Sequence, residues 1–287
     1  MEPTAATTAL APTSAPSAAA QQITRPATAW TYRWRVWEYL LRGWRPYFWS
    51  GLAEAAGAPL LYLLAMGIGM GSLINKHGTS ALGGVTYIQF IGPALLCAAA
   101  LQIGFSEASF ATFGRFKWHR TLWGITSTPV TPTVAADGHL LFFATRLTFS
   151  AVLYYLVLLI FGAAGGPAGA LMIPIAVLTA LSCAVWIMAL SATIQDEGAT
   201  AFNMVLRFGI IPMSLFSASF FPISQLPWAV RWLAFLSPLW HGNELARDAA
   251  VGGLPGWRVW LHLVVLLTLL ISGFLLARRQ FERRLVL

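Results

Sequence analysis

The chain has 287 residues, of which 57% are hydrophobic and only 10% are charged, and its mean hydropathy is +0.68. Soluble globular domains carry about 25% charged residues, so this composition excludes an ordinary soluble domain and predicts an integral membrane protein. The formal net charge is +8, but the basic residues stand at the ends of apolar segments and not in a water-facing patch, which argues against a nucleic-acid partner.

The N-terminal region divides into a tail and an amphipathic segment. Residues 1–28 are rich in Ala, Pro, Thr and Ser and lack the basic start and apolar run of a signal peptide, so we expect a disordered tail. Residues 29–46 predict an amphipathic interfacial helix on the membrane surface, with Trp on one face and Arg on the other. Such a helix serves either as an anchor or as a gate beside the first span. The tryptophans of its apolar stripe are Trp30, Trp34, Trp37 and Trp44.

Residues 47–287 predict one all-α transmembrane domain. Six apolar segments have about the twenty residues that a bilayer requires. Thr131 followed by Pro132 is a favourable helix start, because the hydroxyl caps the helix and proline suits its first turn. The predicted spans are residues 52–72, 85–110, 139–161, 171–194, 200–221 and 258–278.

Two connections between spans are distinctive. The elbow, residues 111–133, places basic residues among aromatic ones. The hairpin, residues 222–255, is too long for a turn and contains two helical patterns of about ten residues, each too short to span the bilayer. We expect these two helices to dip into the outer leaflet as a re-entrant hairpin whose turn is buried in protein.

The distribution of basic residues predicts the topology. Six spans put both termini on one side, and twelve Lys and Arg residues lie there against four on the other, so the termini and the elbow are predicted to be cytoplasmic. The twelve are Arg25, Arg33, Arg35, Arg42, Arg45, Arg115, Lys117, Arg120, Arg278, Arg279, Arg283 and Arg284, and the four are Lys76, Arg231, Arg247 and Arg258.

Charged residues within spans are functional candidates because they are costly in a bilayer. Glu107 and Arg207 either line a substrate pathway or have a structural role, in which they form an ion pair or reach to the membrane interface. Arg146 is interpreted as having the structural role. In the short link between the fourth and fifth spans, Asp196 and Glu197 either cap the next helix or contact a cytoplasmic partner.

No enzyme or metal motif is evident in the sequence. His241 and Glu244 form HxxE, which lacks the second histidine of a zinc site, and neither lysine follows a glycine as a Walker A loop requires. A membrane transferase acting on lipid-linked substrates remains an alternative, for which the hairpin offers His241, Asn243, Glu244 and Asp248. An ion-coupled secondary transporter is a second alternative, although no convincing inverted repeat is visible.

Two stretches carry a family resemblance: ASFATFGRFKWHRTLWGITSTPVTP and FFPISQLPWAVRWLAFLSPLWHGNELAR. From Trp30 to Arg284 the chain resembles permease subunits of type-2 ABC exporters, in particular the nodulation-factor (lipo-chitooligosaccharide) exporter permeases, with the daunorubicin-resistance permeases as wider relatives. The resemblance implies a bacterial cell-membrane homodimer docked on two separate ATPase subunits, which bind ATP and Mg²⁺, with no cofactor in this chain.

In that family pattern, the elbow would press into the ATPase, although its basic residues could also serve only to enforce topology. Aromatic and aliphatic spans favour an amphipathic or lipid-linked substrate, such as a glycolipid, a lipo-oligosaccharide or a hydrophobic drug. The predicted ATPase-contacting residues are Arg115, Phe116, Lys117, Trp118, His119 and Arg120.

Overall fold

A computed structural model describes residues 28–76, 82, 84–195, 198–253 and 256–286, most of which are helical. Apart from Thr28, the predicted tail lies outside the described residues, as do Asp196 and Glu197. We number the helices in chain order. They are α1 (Ala29–Trp44), α2 (48–76), α3 (Tyr87–Lys117), α4 (Thr121–Thr126), α5 (Pro132–Ile160), α6 (Met172–Thr193), α7 (Gly198–Phe216), α8 (Trp228–Leu236), α9 (Pro238–Val251) and α10 (Trp257–Leu285).

The described residues include six helical runs long and apolar enough to cross a membrane, which confirms the predicted number of spans. α1 and α2 form one of these runs, and α3, α5, α6, α7 and α10 provide the others. Several helix ends differ from the predicted spans. Helix α3 continues to Lys117 instead of ending at residue 110. α7 ends at Phe216 because the chain bends at Ser217, and α10 continues to Leu285 because Phe281 and Leu285 are still buried in the bundle.

The centre of the bundle is α6, which packs against α3, α5, α9 and α10. Small residues allow this close approach: a Cβ on Gly273 of α10 would lie 2.6 Å from the Trp186 ring of α6. By contrast, α7 lies at the periphery. In the most apolar part of this helix 11% of the residues are buried, whereas in the corresponding part of α3 72% are buried. The bundle therefore has a packed core on one side and loosely covered helices on the other.

Helix α1 packs along α5 through a face next to the predicted tryptophan stripe. Val36 and Leu40 are its buried residues, whereas Trp30 and Trp34 are 62% and 51% exposed. The close packing requires Gly138 of α5, because an added Cβ there would lie 2.6 Å from the Cβ of Val36. The packed face is thus set by the glycine on α5, which the pattern within α1 does not reveal.

The start of α5 agrees with the sequence. The Thr131 hydroxyl accepts a hydrogen bond from the Val134 N–H at 3.4 Å, and Pro132 is the first helical residue. This confirms the predicted cap, which satisfies one of the free N–H groups of the first turn.

Several spans contain π-helical segments, in which an extra residue widens a turn. Two lie in α2, Ala53–Gly57 and Leu63–Met70, and one each in α3 and α7, Glu107–Ala111 and Leu206–Ile210. Glu107 and Arg207, the two charges singled out from the sequence, therefore both lie in π-helical segments. Such segments are frequent at functional sites.

We predict that Gly138→Ala destabilises the protein because its Cβ collides with Val36. Overpacking of a close contact costs about 1–3 kcal/mol, and thermal unfolding in detergent would measure it. The matched control is Gly43→Ala in α1, where no atom lies within 4 Å of the new Cβ. Equal unfolding temperatures for the two variants would contradict the proposed packing of α1 on α5.

Candidate functional site: the elbow and the charged cavity beside it

The elbow is a helix–turn–helix at one end of the bundle. α3 continues to Lys117, the chain turns through residues 118–120, and α4 begins at Thr121. Arg120 has φ +49°, in the left-handed region that is uncommon for a residue other than glycine. The turn therefore has a defined, sharply bent backbone.

The predicted contact residues of the elbow divide into exposed and buried ones. Trp118 is 59% exposed, and His119 and Arg120 are exposed with it. Phe116 was expected to add aromatic area on the outer surface, but this was wrong: its ring is buried and lies 4.9 Å from the ring of Phe281 in α10. The periodicity of the elbow does not reveal that α10 extends far enough to cover Phe116.

Trp123, which was not among the predicted contact residues, supplies the second exposed ring of the elbow. Trp123 is 40% exposed, and its Nε1 donates a hydrogen bond to the Phe116 carbonyl at 3.2 Å. Its position five residues after Trp118, in the same basic and aromatic segment, was the available signal. The exposed aromatic surface of the elbow thus consists of Trp118 and Trp123.

Polar contacts attach the elbow to the core helices. Arg284 of α10 donates to the carbonyls of Ser191 and Ile194 at 2.7 and 2.8 Å and places its guanidinium 4.3 Å from the centre of the Phe116 ring. Lys117 donates to the Gln195 carbonyl at 2.9 Å. Cations favour the C-terminal end of a helix, so both contacts strengthen the link between the elbow and the end of α6.

Between the elbow and the ends of α6 and α10 lies an open basic cavity of about 860 Å³. Lys117, Arg120, Arg283 and Arg284 contribute four cations to its lining, and Trp123 contributes an aromatic ring. A concave basic surface of this kind suits an acidic segment of another protein.

A second cavity, of about 470 Å³, lies between α1, α2, α3 and α5. In its wall, Arg146 of α5 donates from Nη2 and Nε to Glu107 Oε1 of α3, at 2.9 and 3.0 Å, and the two side chains are only 9% and 13% exposed. The Arg146 guanidinium also lies 4.4 Å from the centre of the Trp44 ring. Glu107 therefore both forms an ion pair and lines a cavity, so the two interpretations offered by the sequence coexist.

Asp137, a buried carboxylate at this end of α5, was not among the predicted site residues. Asp137 Oδ2 accepts from Arg33 Nε of α1 at 2.6 Å, and Oδ1 lies 3.1 Å from Arg278 Nε of α10. One carboxylate thus joins three helices. These partners are 104 and 141 residues away in the sequence, so no local pattern indicates them.

Arg207 differs from Glu107 and Arg146 because it is exposed, at the middle of the peripheral helix α7. A cation at that depth is costly against lipid. Its position is therefore better suited to a polar surface, such as a water-filled pathway or a second protein chain.

At the opposite end of the bundle, α9 is held by polar contacts. Arg247 donates to the carbonyls of Phe90 and Ala218 and pairs with Glu244 at 3.0 Å. Asn243 donates to the Ser217 carbonyl at 2.9 Å. These side chains are engaged within the chain and are not free for chemistry.

A buried histidine pair joins α9 to α10. His241 Nδ1 lies 2.7 Å from His262 Nδ1, and His241 Nε2 lies 3.1 Å from the Phe235 carbonyl. Because a carbonyl only accepts, His241 Nε2 carries the proton and its Nδ1 accepts from His262. The pKa of His241 is lowered below its usual 6.5, mainly by burial and to a smaller extent by the neighbouring His262. Within the described part of the chain, no group of three or more His, Cys, Asp or Glu residues is placed to hold a metal ion.

These features define a multi-pass helical membrane protein whose elbow, at one end of the bundle, presents an exposed aromatic and basic surface. A family model described as "ABC-2 type transporter" matches residues 32–251. The chain therefore belongs to the ABC-2 type transporter family, and it is the membrane subunit of an ABC exporter and not an enzyme. Membership implies an ATPase partner.

Among curated proteins, the chain is similar to Nodulation protein J of several rhizobia. It is 27% identical over 261 residues to that of Rhizobium meliloti, covering 91% of this chain and 96% of the relative. It is 26% identical to that of Sinorhizobium fredii over the same shares, and 26% identical to that of Rhizobium leguminosarum bv. viciae, covering 88% and 94%. No solved structure matches significantly.

We predict that Arg146→Gln lowers the free energy of unfolding by about 3–5 kcal/mol, because it leaves Glu107 buried without its partner. The double variant Glu107→Gln with Arg146→Gln recovers much of this loss, because no unpaired charge then remains. A double-mutant cycle by unfolding in detergent measures both effects. As a control, Arg42→Gln breaks the exposed Glu38 pair and costs under about 1 kcal/mol. Additive losses in the cycle would contradict the coupling.

We predict that acid destabilises the protein through His241. Since its folded pKa is below its unfolded value of 6.5, the unfolded chain takes up the proton first. Stability is therefore complete above pH 6.5 and falls as pH drops through that value, by at most about 1.4 kcal/mol per pH unit. The Glu244 carboxylate opposes the downward shift of the His241 pKa without outweighing it.

The unfolding temperature of the purified chain between pH 7.5 and 5 measures this effect. His241→Gln flattens the profile, whereas His119→Gln, at the exposed elbow, leaves it unchanged. Parallel profiles for the wild type and His241→Gln would exclude the histidine pair as the origin of the acid sensitivity.

Proposed function

We propose that this chain forms a homodimer, associates with two separate ATPase chains that bind ATP and Mg²⁺, and exports an amphipathic or lipid-linked substrate. The observation that carries the proposal is the elbow. It presents Trp118 and Trp123 outward while Phe116, directly behind them, is held between Phe281 and Arg284. Displacement of the elbow by a partner would therefore be transmitted to α10 and α6.

The chemistry of the elbow supports an ATPase as the docking partner. Interface energy concentrates in aromatic and arginine side chains that become buried on binding. Trp118, His119 and Arg120 are exposed, and Arg120 also borders the basic cavity. In this proposal the ring of Trp118 is the anchor and the surrounding cations, Arg115 among them, orient the partner.

We further propose that the elbow and both termini face the cytoplasm of a bacterial cell. The bias of twelve basic residues against four supports this orientation. On the opposite face, α8 and α9 would form the re-entrant hairpin. The Arg247 contact with the Phe90 carbonyl supports this, because Phe90 already lies inside the span α3.

The peripheral helices support the homodimer. α2 and α7 have few buried residues, and Arg207 is exposed in the middle of α7. A second copy facing these helices would enclose a polar pathway and place Arg207 beside it instead of in lipid. Glu107, in the cavity at the base of α2, would lie near the entrance to the same pathway.

The substrate class is inferred from the resemblance and from surface chemistry. Relatives carry the name Nodulation protein J, and the nodulation-factor permeases that the sequence resembles export lipo-chitooligosaccharides. A glycolipid or lipo-oligosaccharide is thus favoured over a hydrophobic drug. The amphipathic α1, with Trp30 and Trp34 exposed, would lie at the inner leaflet, where such a substrate arrives.

The transferase alternative is not favoured by the contacts of the hairpin. His241, Asn243 and Glu244 are each bonded within the chain. An ion-coupled transporter is likewise not favoured by membership of an ABC family.

We predict that an ATPase encoded near this gene co-purifies with the chain in mild detergent and shows vanadate-sensitive ATP hydrolysis. Trp118→Ala weakens the complex by at least about thirtyfold, because a central aromatic anchor contributes about 2 kcal/mol or more. The matched control is Trp228→Ala, an 83% exposed tryptophan in α8.

Different results would contradict the ATP-driven function and the role assigned to the elbow. If no ATPase co-purifies from cells expressing the neighbouring genes, the ATP-driven function is wrong. If the ATPase binds Trp118→Ala as tightly as the wild type, the exporter stands and the assignment of the elbow is wrong.

A further inference from the structure

The cavity between α1, α2, α3 and α5 contains buried polar atoms that lack partners. Arg115 Nη1 of α3 and Thr121 Oγ1 of α4 are both buried, and neither has a hydrogen-bond partner within the described residues. Buried polar groups in native proteins are nearly always satisfied, since leaving one unpaired costs about 1–3 kcal/mol and more for a charged group. Both residues line the same cavity, so an occupant that reached these atoms would satisfy them.

The charges around the cavity restrict the chemistry of that occupant. Its wall carries two guanidinium groups, Arg115 and Arg146, and two carboxylates, Glu54 and Glu107. Their formal charges cancel, and Arg146 is already paired with Glu107. A phosphate would meet two carboxylates and gain no net attraction, whereas an uncharged group with many donors and acceptors would be satisfied by both kinds of side chain.

The remaining wall is aromatic. Tyr39 and Tyr47, which border the cavity, are 49% and 66% exposed, and Trp44 lies beside them. Ligand sites typically combine aromatic walls with a few convergent polar groups in about 300–1,000 Å³, and the volume of about 470 Å³ falls in this range. The ring faces suit the apolar C–H faces of a hydroxylated ring, while the polar atoms suit its hydroxyl groups.

An apolar surface continues from this cavity along α2. Beyond Glu54, Leu61 and Ile68 are 68% and 57% exposed. An acyl chain attached to a headgroup in the cavity could therefore lie along α2 within the bilayer.

We infer that this cavity binds the uncharged polyhydroxyl headgroup of an amphiphile, with Arg115 and Thr121 as its hydrogen-bonding residues. This inference rests on the proposed function only where it identifies the amphiphile as exported cargo. A glycolipid that resides in the membrane offers the same headgroup chemistry and would bind in the same way. The binding site itself is independent of ATP.

The test uses the full chain in micelles of a polyoxyethylene detergent, which offers no sugar. Octyl glucoside is titrated below its micelle concentration, and tryptophan fluorescence and the unfolding temperature report binding. Thr121→Val weakens binding about fivefold and Arg115→Gln more than tenfold, because they remove one neutral and one charged hydrogen bond. The control is Arg120→Gln, which removes a neighbouring arginine outside this cavity and leaves binding unchanged.

A second readout separates ligand binding from structural damage. Because the Thr121 hydroxyl has no partner among the residues that the structure describes, we expect Thr121→Val without ligand to be at least as stable as the wild type while its response to octyl glucoside is reduced. Equal binding by the wild type, Thr121→Val and Arg115→Gln would overturn the site, since the ligand would then bind without the two residues assigned to it. Tighter binding of octyl phosphate than of octyl glucoside would overturn the assignment of an uncharged headgroup.

The source of the headgroup is resolved with the ATPase complex. Bound glycolipid that is released on adding ATP is exported cargo, whereas glycolipid that stays bound is a resident lipid; both results support the site. If octyl glucoside binding depends on Arg115 and Thr121 but no ATPase co-purifies from cells expressing the neighbouring genes, the site stands and the proposed function is wrong.

Discussion

A charged side chain inside an apolar helix bundle needs a partner of opposite charge or contact with water. In this chain, that requirement determines how several helices are joined. Unpaired charges are costly inside a membrane protein, so each must find a partner or water. Asp137 meets this requirement with Arg33 and Arg278, and thereby fixes α1 and α10 to α5. Glu107 and Arg146 do the same for α3 and α5. The pairs lie at the elbow end, so the docking surface proposed for the elbow stands on helices that buried ion pairs join. A docking surface on a firmly held end can transmit movement, whereas one on a loose loop cannot.

The cavity between α1 and α3 is lined by an arginine that this pairing leaves out. Arg146 uses Glu107, which leaves Arg115 with a buried Nη1 atom that nothing in the described chain satisfies. A fully paired wall would have made a rigid and inert junction. One unpaired donor beside exposed tyrosine rings makes the junction receptive to a ligand while the neighbouring ion pair maintains its shape. Structural and ligand-binding roles are thus divided between two arginines 31 residues apart in the sequence.

The sequence alone predicted what depends on local pattern. Hydropathy predicted the six spans, and the Thr131–Pro132 pair predicted the start of α5. The burial of Phe116 under Phe281 could not be predicted, because the two residues are far apart in the sequence and meet only through the fold. The role of Asp137 was missed for the same reason. Trp123 was also missed, although it lies in the segment that had already been singled out; its hydrogen bond to the Phe116 carbonyl is a feature of the turn and not of the composition.

Helix α7 also has a consequence for how the protein is made. It is the shortest and least apolar of the six candidate spans in the described chain, and it carries Arg207 near its middle. An arginine at that depth opposes insertion by about 2.5–3.5 kcal/mol. The preceding span, α6, is strongly apolar and ends at Thr193, only a few residues before α7 begins at Gly198. We therefore expect α7 to enter the bilayer during biosynthesis as the second arm of a pair with α6, because the charge of Arg207 makes insertion of α7 alone unfavourable.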